Sequence, residues 1–235
     1  MKKKIEKINL LLINQFGIPP RPEKLPNPLD TIIGTILSQN TNDANSYKAY
    51  KNLKNNFSNW NKLAELTPAQ IEGYIKVAGL GKQKSKAIYD LLQSLKKKDE
   101  SVSLDHIKIK NNAEILEELT SYNGVGVKTA SCVLLFSLGR NICPVDTHVH
   151  RTLNRVGIVN TKNPEKTFYK IFDNIPDGIA HSFHTNLIRL GREVCKPKNP
   201  ICSVCSLIKI CKFKEKNLKP VKNNIKRDFM LLDNL

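Results

Sequence analysis

Apolar residues recur along the chain at three- and four-residue intervals. Ile32, Ile33, Ile36 and Leu37 have this spacing, as do Ile88, Leu91, Leu92 and Leu95. Such spacing puts each set on one face of an α-helix. Helix starts are marked as well. Thr67-Pro68-Ala69-Gln70 supplies an N-cap, a proline at the first helical position and a glutamine placed for a capping box. Asn163-Pro164-Glu165 repeats that grammar, and Asn111 with Glu114 caps the run Ile115, Leu116 and Leu119. No stretch alternates apolar and polar residues around a hairpin turn. The pattern predicts an all-α protein of roughly ten short helices joined by Gly, Pro and Asn turns.

Composition narrows the class. A chain of 235 residues holds one large domain or two modest ones. At 40% hydrophobic it is too apolar for a disordered chain. No apolar run approaches the ~20 residues that span a bilayer, and no cleavage site follows Met1-Lys2-Lys3-Lys4. A cytoplasmic protein is the expectation. The Lys- and Asn-rich stretch 212–228 is expected to be mobile, with Leu231 and Leu232 as candidates to dock back. Lys and Arg number 38 against 21 Asp and Glu, a formal charge of +17. That excess suits either a polyanionic partner, nucleic acid first, or a solvated lysine-rich surface.

Four of the six cysteines fall in one short segment, Cys195-x6-Cys202-x2-Cys205-x5-Cys211. In a reducing compartment this reads as a metal site and not as disulfides. Thiolate chemistry alone leaves zinc and an iron–sulfur cluster both open. Arg189, Arg192, Lys196, Lys198, Lys209, Lys212 and Lys214 surround the cysteines, so the loop reads as a scaffold presenting cations to phosphates. Cys132 and Cys143 lie in apolar surroundings and are expected to be buried structural thiols.

Two further segments carry chemistry. In Tyr122-Asn123-Gly124-Val125-Gly126-Val127-Lys128-Thr129-Ala130, one helix ends, a glycine turn follows and another helix starts. Glycines there let backbone N–H groups approach a phosphate closely. Lys128 falls in the first turn of the new helix, where the helix dipole disfavours a cation and favours a neutral, nucleophilic amine. Alternatively it is an exposed or phosphate-contacting lysine. Pro144-Val145-Asp146-Thr147-His148-Val149-His150-Arg151 places Asp146 as the N-cap of a helix. It is either a simple cap or a preorganised carboxylate able to stabilise a cationic sugar or move a proton.

The glycine hairpin with Lys128, the Val-Asp-Thr-His segment and the four-cysteine loop occur in one order. Together they resemble the endonuclease III family of helix-hairpin-helix DNA glycosylases, over about Pro28 to Phe213. The resemblance implies two helical domains flanking a DNA-binding cleft. Residues 28–140 would form a six-helix domain with the hairpin. Residues 1–27 and 141–213 would form the cluster domain, and 214–235 a basic tail. It implies a [4Fe–4S] cluster on Cys195, Cys202, Cys205 and Cys211, with Lys128 and Asp146 as catalytic residues facing each other across the cleft. The DNA surface would include Gly124, Gly126, Val127, Lys84, His148 and Arg151. Two loops would fill the gap left by a flipped base, one with Gln39 and Asn40, the other with Leu80.

The implied function is base excision repair by a bifunctional glycosylase and AP lyase. Its partner would be double-stranded DNA carrying damaged bases or abasic sites, oxidised pyrimidines being the family default. The protein would act as a monomer at the nucleoid. The alternatives are a monofunctional thymine or adenine mismatch glycosylase, which usually lacks a lysine at the position of Lys128, and a non-catalytic helix-hairpin-helix DNA binder. One departure stands out. Family hairpins usually begin Leu-Pro, whereas this chain has Tyr122-Asn123, a change expected to loosen the start of the turn.

Overall fold

The structure is a computed structural model that describes residues 1–98, 101–220 and 230. Most of the expected tail, with Leu231 and Leu232, lies outside the described residues. Among the described residues there is helix and no strand, in agreement with the all-α expectation. No described helix is long and apolar enough to cross a membrane.

The helices run α1 (Lys2–Phe16), α2 (Pro28–Leu37), α3 (Asp43–Asn56), α4 (Trp60–Leu63), α5 (Pro68–Ile75), α6 (Gly81–Lys98), α7 (Asn112–Thr120), α8 (Val127–Cys132), α9 (Thr147–Val156), α10 (Pro164–Ile171) and α11 (Ala180–Arg189). Polar caps set many of the starts. Asn27 accepts from the Leu29 amide ahead of Pro28, and Asn42 and Asn163 cap α3 and α10. The capping boxes read at Thr67/Gln70 and Asn111/Glu114 are both complete. Each such cap is worth about 1 kcal/mol. Two helices run on into single π turns, α8 into Val133–Ser137 and α11 into Leu190–Val194.

The described residues fall into two compact units. One comprises Met1–Arg21 with the chain from Asn141 to Pro220; the other comprises Pro22–Arg140 with Met230. In the second unit, α2 is buried on every side, including all four of its predicted apolar positions. It packs against α3, α6 and α8. The segment from Thr129 to Ser137 is likewise wholly buried, and Ser137 Oγ donates to Thr31 Oγ1 at 2.7 Å. Helix α6 buries Ile88, Leu91, Leu92 and Leu95 as its periodicity requires, each contributing roughly 1.5–3 kcal/mol.

In the first unit, α1 lies along α11. Ile5, Ile8 and Leu12 are buried there, as are Phe183 and Leu187. Polar ties fix the pairing. Ser182 Oγ donates to Asn9 Oδ1, Asn186 Nδ2 to the Gly17 carbonyl, and Arg189 Nη1 to the Phe16 carbonyl. Helix α9 packs against α11 and its π turn. A Cβ on Gly191 would stand 2.6 Å from that of His148, so only glycine permits that approach.

Candidate active site

The glycine turn forms as its residues dictate. Helix α7 ends, Tyr122 is buried, and the Val125 amide donates to the Tyr122 carbonyl at 3.1 Å. Gly124 adopts φ +79°, and a Cβ there would meet Ala87 Cβ at 2.6 Å. Asn123, where the resemblance would usually place a proline, is not a loose start to the turn. Its Nδ2 donates to Asp90 Oδ2 on α6 at 2.8 Å. That hydrogen bond holds the Asp90 carboxyl below its usual range, against the opposing effect of burial.

Gly126 is the N-cap of α8 and offers no side chain to the first-turn amides. Gly124 and Gly126 are exposed, and Val127 and Lys128 are half-buried beside them. Lys128 therefore stands in the first turn of α8, directly after an exposed glycine turn. Among the described residues it makes no ion pair.

The two loops expected to fill a DNA gap share an uncommon backbone. Asn40 has φ +52° and Leu80 has φ +50°, left-handed conformations that cost a residue with a Cβ about 1 kcal/mol or more. Gln39 and Asn40 are exposed, and Leu80 is 49% exposed despite being apolar. Gln39 Nε2 donates to the Gly124 carbonyl at 3.2 Å, tying the first loop to the hairpin turn. No hydrogen bond from the Asn40 side chain to the hairpin is seen among the described residues.

Lys84 departs from expectation. It was placed at the DNA surface but is 2% exposed. Its Nζ donates to the Leu37 and Ala78 carbonyls, each at 2.8 Å. Burial lowers its pKa to about 8. It sits on the face of α6 turned toward α2, so its long stem runs inward and cannot reach a phosphate.

In the other unit, Asp146 caps α9 as read from the sequence. Its Oδ1 accepts from the Val149 amide at 2.8 Å, and the side chain is half-buried. His148 and Arg151, expected at the DNA surface, are engaged elsewhere. Arg151 donates through Nε to the Cys195 carbonyl at 3.0 Å and through Nη2 to the Gly191 carbonyl at 2.8 Å. The same Nη2 meets His148 Nδ1 at 3.2 Å. Burial lowers the pKa of His148, partly offset by Asp146. Arg151 thus braces the start of the cysteine loop through the Gly191 and Cys195 carbonyls.

The four-cysteine segment folds around a single pocket. Cys195, Cys202, Cys205 and Cys211 line one pocket with Leu190, Val194, Pro200, Leu207, Ile208 and Phe213. Among the described residues no group of three or more His, Cys, Asp or Glu is arranged to hold a single metal ion. The four thiols frame a space and do not converge on a point. Burial, with smaller contributions from the other three cysteines, pushes the Cys205 thiol up to about 12. Cys132 and Cys143 are buried, as expected. Sequence reasoning missed Arg155, which donates to the Lys196 and Pro197 carbonyls and lies 4.2 Å over the Phe213 ring. The available signal was its place one turn after Arg151, with an aromatic residue two past Cys211.

Residues 33–176 match the HhH-GPD superfamily of base excision DNA repair proteins. The chain is 34% identical to an endonuclease III of Thermotoga maritima, over 95% of its own length and 100% of that protein. The chain belongs to the endonuclease III family. Another endonuclease III, from Sulfolobus acidocaldarius, is 30% identical over 83% of this chain and 86% of that one. The endonuclease III fold extends to solved structures. A non-covalent endonuclease III–DNA complex superposes with a TM-score of 0.76 at 24% identity, covering 90% of this chain and 95% of the other. A thermostable thymine-DNA glycosylase gives 0.71 at 19% identity, covering 90% and 96%.

Proposed function

We propose that this endonuclease III family member is a bifunctional DNA glycosylase and AP lyase of base excision repair, with Lys128 as nucleophile and Asp146 as its electrostatic and proton-transfer partner. The observation that carries this reading is Lys128 itself, in the first turn of α8 beside an exposed glycine turn. A plain DNA binder or a monofunctional glycosylase has no need of an amine there.

The chemistry follows from the groups. A damaged nucleotide, an oxidised pyrimidine by the family resemblance, is extruded from the stack. The Lys128 Nζ lone pair attacks the sugar C1′, and the C1′–N bond breaks as the base leaves with a proton that the amine gives up. Ring opening yields a Schiff base between Nζ and C1′. Loss of a C2′ proton then expels the 3′ phosphate by β-elimination, and water releases the lysine. Asp146, held by the Val149 amide through one oxygen, keeps the other for the developing positive charge on the sugar and for proton transfer. Exposed amides around Gly124 and Gly126 suit a backbone phosphate. The formal charge of +17 favours a duplex partner and makes binding fall with salt. A location at the chromosome goes with that substrate.

Cys195, Cys202, Cys205 and Cys211 would hold a [4Fe–4S] cluster. The donors fit: four sulfurs frame one apolar-walled pocket, with an arginine donor at Cys195. Such a cluster would take one cysteine thiolate at each of its four iron atoms and would need more room than one zinc ion. Buried thiols favour the protonated form unless positive charge faces them, which bound iron supplies. When bound, the cluster supplies cross-linking of the loop and no step of the reaction.

Borohydride trapping on abasic duplex tests the lyase. Wild type is expected to give a covalent protein–DNA adduct and Lys128→Ala none. Equal trapping by both proteins rules out Lys128 as the nucleophile.

A further inference from the structure

The second unit contains a buried lysine for which the proposed chemistry has no use. Lys84 spans Leu37 and Ala78, carbonyls that are 47 and 6 residues away from it in sequence. Leu37 is the last residue of α2, and Ser38, Gln39 and the left-handed Asn40 follow it directly. Ala78 closes the 3-10 turn Lys76–Ala78, and Gly79 at φ +69° and Leu80 at φ +50° follow it directly. One ammonium therefore sits at the root of both exposed loops. The Lys84 amide also accepts a role here, donating to the Leu80 carbonyl at 3.0 Å.

The electrostatics suit this arrangement. Both acceptors lie at the C-terminal, negative ends of helical segments, whose last carbonyls lack partners of their own. A desolvated ammonium costs free energy unless such acceptors face it, so the site holds both carbonyls firmly. The third loop is referred to the same helix: Ala87, one turn after Lys84, touches the Gly124 position, and Asp90 takes the Asn123 amide. Helix α6 is thus a post to which the gap loops and the hairpin are all attached.

We infer that Lys84 is a positioning residue for base extrusion, holding the loops of Asn40 and Leu80 at a fixed spacing so that both enter the DNA gap together. This rests on the glycosylase reading above. Two independently mobile loops would each lose freedom on entering the gap, whereas loops held from one ammonium are ordered beforehand. Lys84 itself touches no nucleotide.

The test uses a duplex with a tetrahydrofuran abasic analogue opposite 2-aminopurine, whose fluorescence rises when the orphan base is unstacked. The same duplex without the analogue is the control. Lys84→Met keeps the length of the side chain and removes both hydrogen bonds. It is expected to lose about tenfold or more of the preference for the abasic duplex, and most of the fluorescence rise. Binding to the control duplex, which depends on phosphate contacts, should stay within about twofold. Lys84→Gln, which keeps a donor but is too short to span both carbonyls, should show the same selective loss and serves if the Met variant folds poorly. Equal weakening on both duplexes, or unchanged preference in both variants, overturns the inference. The fluorescence readout needs no lyase step. Wild type that fills the gap but traps no adduct therefore overturns the lyase reading and leaves Lys84 supported by its own result.

Discussion

Arg155 on α9 donates through Nη1 to Cys195 Sγ at 3.5 Å, so the helix that Asp146 caps also holds the first cysteine of the loop. The guanidinium reaches two further carbonyls and stacks on Phe213. Arginine serves here because its planar fork makes several bonds at once.

Arg155→Ala should therefore weaken the loop on all sides. Purified protein is expected to carry less iron and sulfide per chain and to unfold about 2–3 kcal/mol more easily, the worth of one or two charge-assisted hydrogen bonds. Arg155→Lys should fall between, lacking the fork. Elemental analysis with denaturant melts decides it; full iron content in Arg155→Ala would contradict the bracing role.

Asp146 combines a cap with proposed chemistry, and one substitution separates them. Asparagine caps helices as well as aspartate does. Asp146→Asn should keep its melting midpoint while strand cleavage slows by about 10²–10⁴-fold. Asp146→Ala should additionally lose about 1 kcal/mol of stability. If Asp146→Asn cleaves at the wild-type rate, the carboxylate is only a cap.

Gly124 is required twice, for its φ of +79° and for its approach to Ala87. Gly124→Ala should cost about 1–3 kcal/mol from strain and overpacking and weaken duplex binding. Adding Ala87→Gly removes the clash but not the strain, so the double variant should recover only part of the loss. Denaturant melts of the three variants measure this directly.

Glu118 predicts an acid-sensitive step. Burial alone would raise its carboxyl, but hydrogen bonds from Lys110, His106 and Lys98 outweigh that and bring it from 4.5 to about 2. The folded group is the stronger acid, so its contribution is present above pH 4.5 and is lost as pH falls toward 2. A shift of this size corresponds to about 3 kcal/mol. Glu118→Gln should be less stable at neutral pH, and its stability should change less between pH 5 and 2 than that of wild type. Parallel acid titrations of both proteins would show the two curves converging; a constant gap between them would exclude the linkage.

Local chemistry made much of this protein readable before any fold was known. The capping boxes at Thr67 and Asn111, the apolar faces of α2 and α6 and the cap at Asp146 each depend on residues within one or two turns. That the four cysteines share one pocket was also legible, because residues in one short segment stay near one another whatever the rest of the fold does. Lys84 and Arg151 read as surface cations because lysine and arginine are usually exposed. Their partners, the carbonyls of Leu37, Ala78, Gly191 and Cys195, are backbone groups with no mark in the sequence.

The sequence by itself determined which segments are helices, where many of them begin and which side chains carry reactive groups. These are properties of short-range propensity and spacing. Only the tertiary structure decided which cations remain available to a phosphate and which are spent inside. That choice is set by desolvation: a buried ammonium or guanidinium needs acceptors around it, and the fold delivers them as helix-end carbonyls from distant parts of the chain.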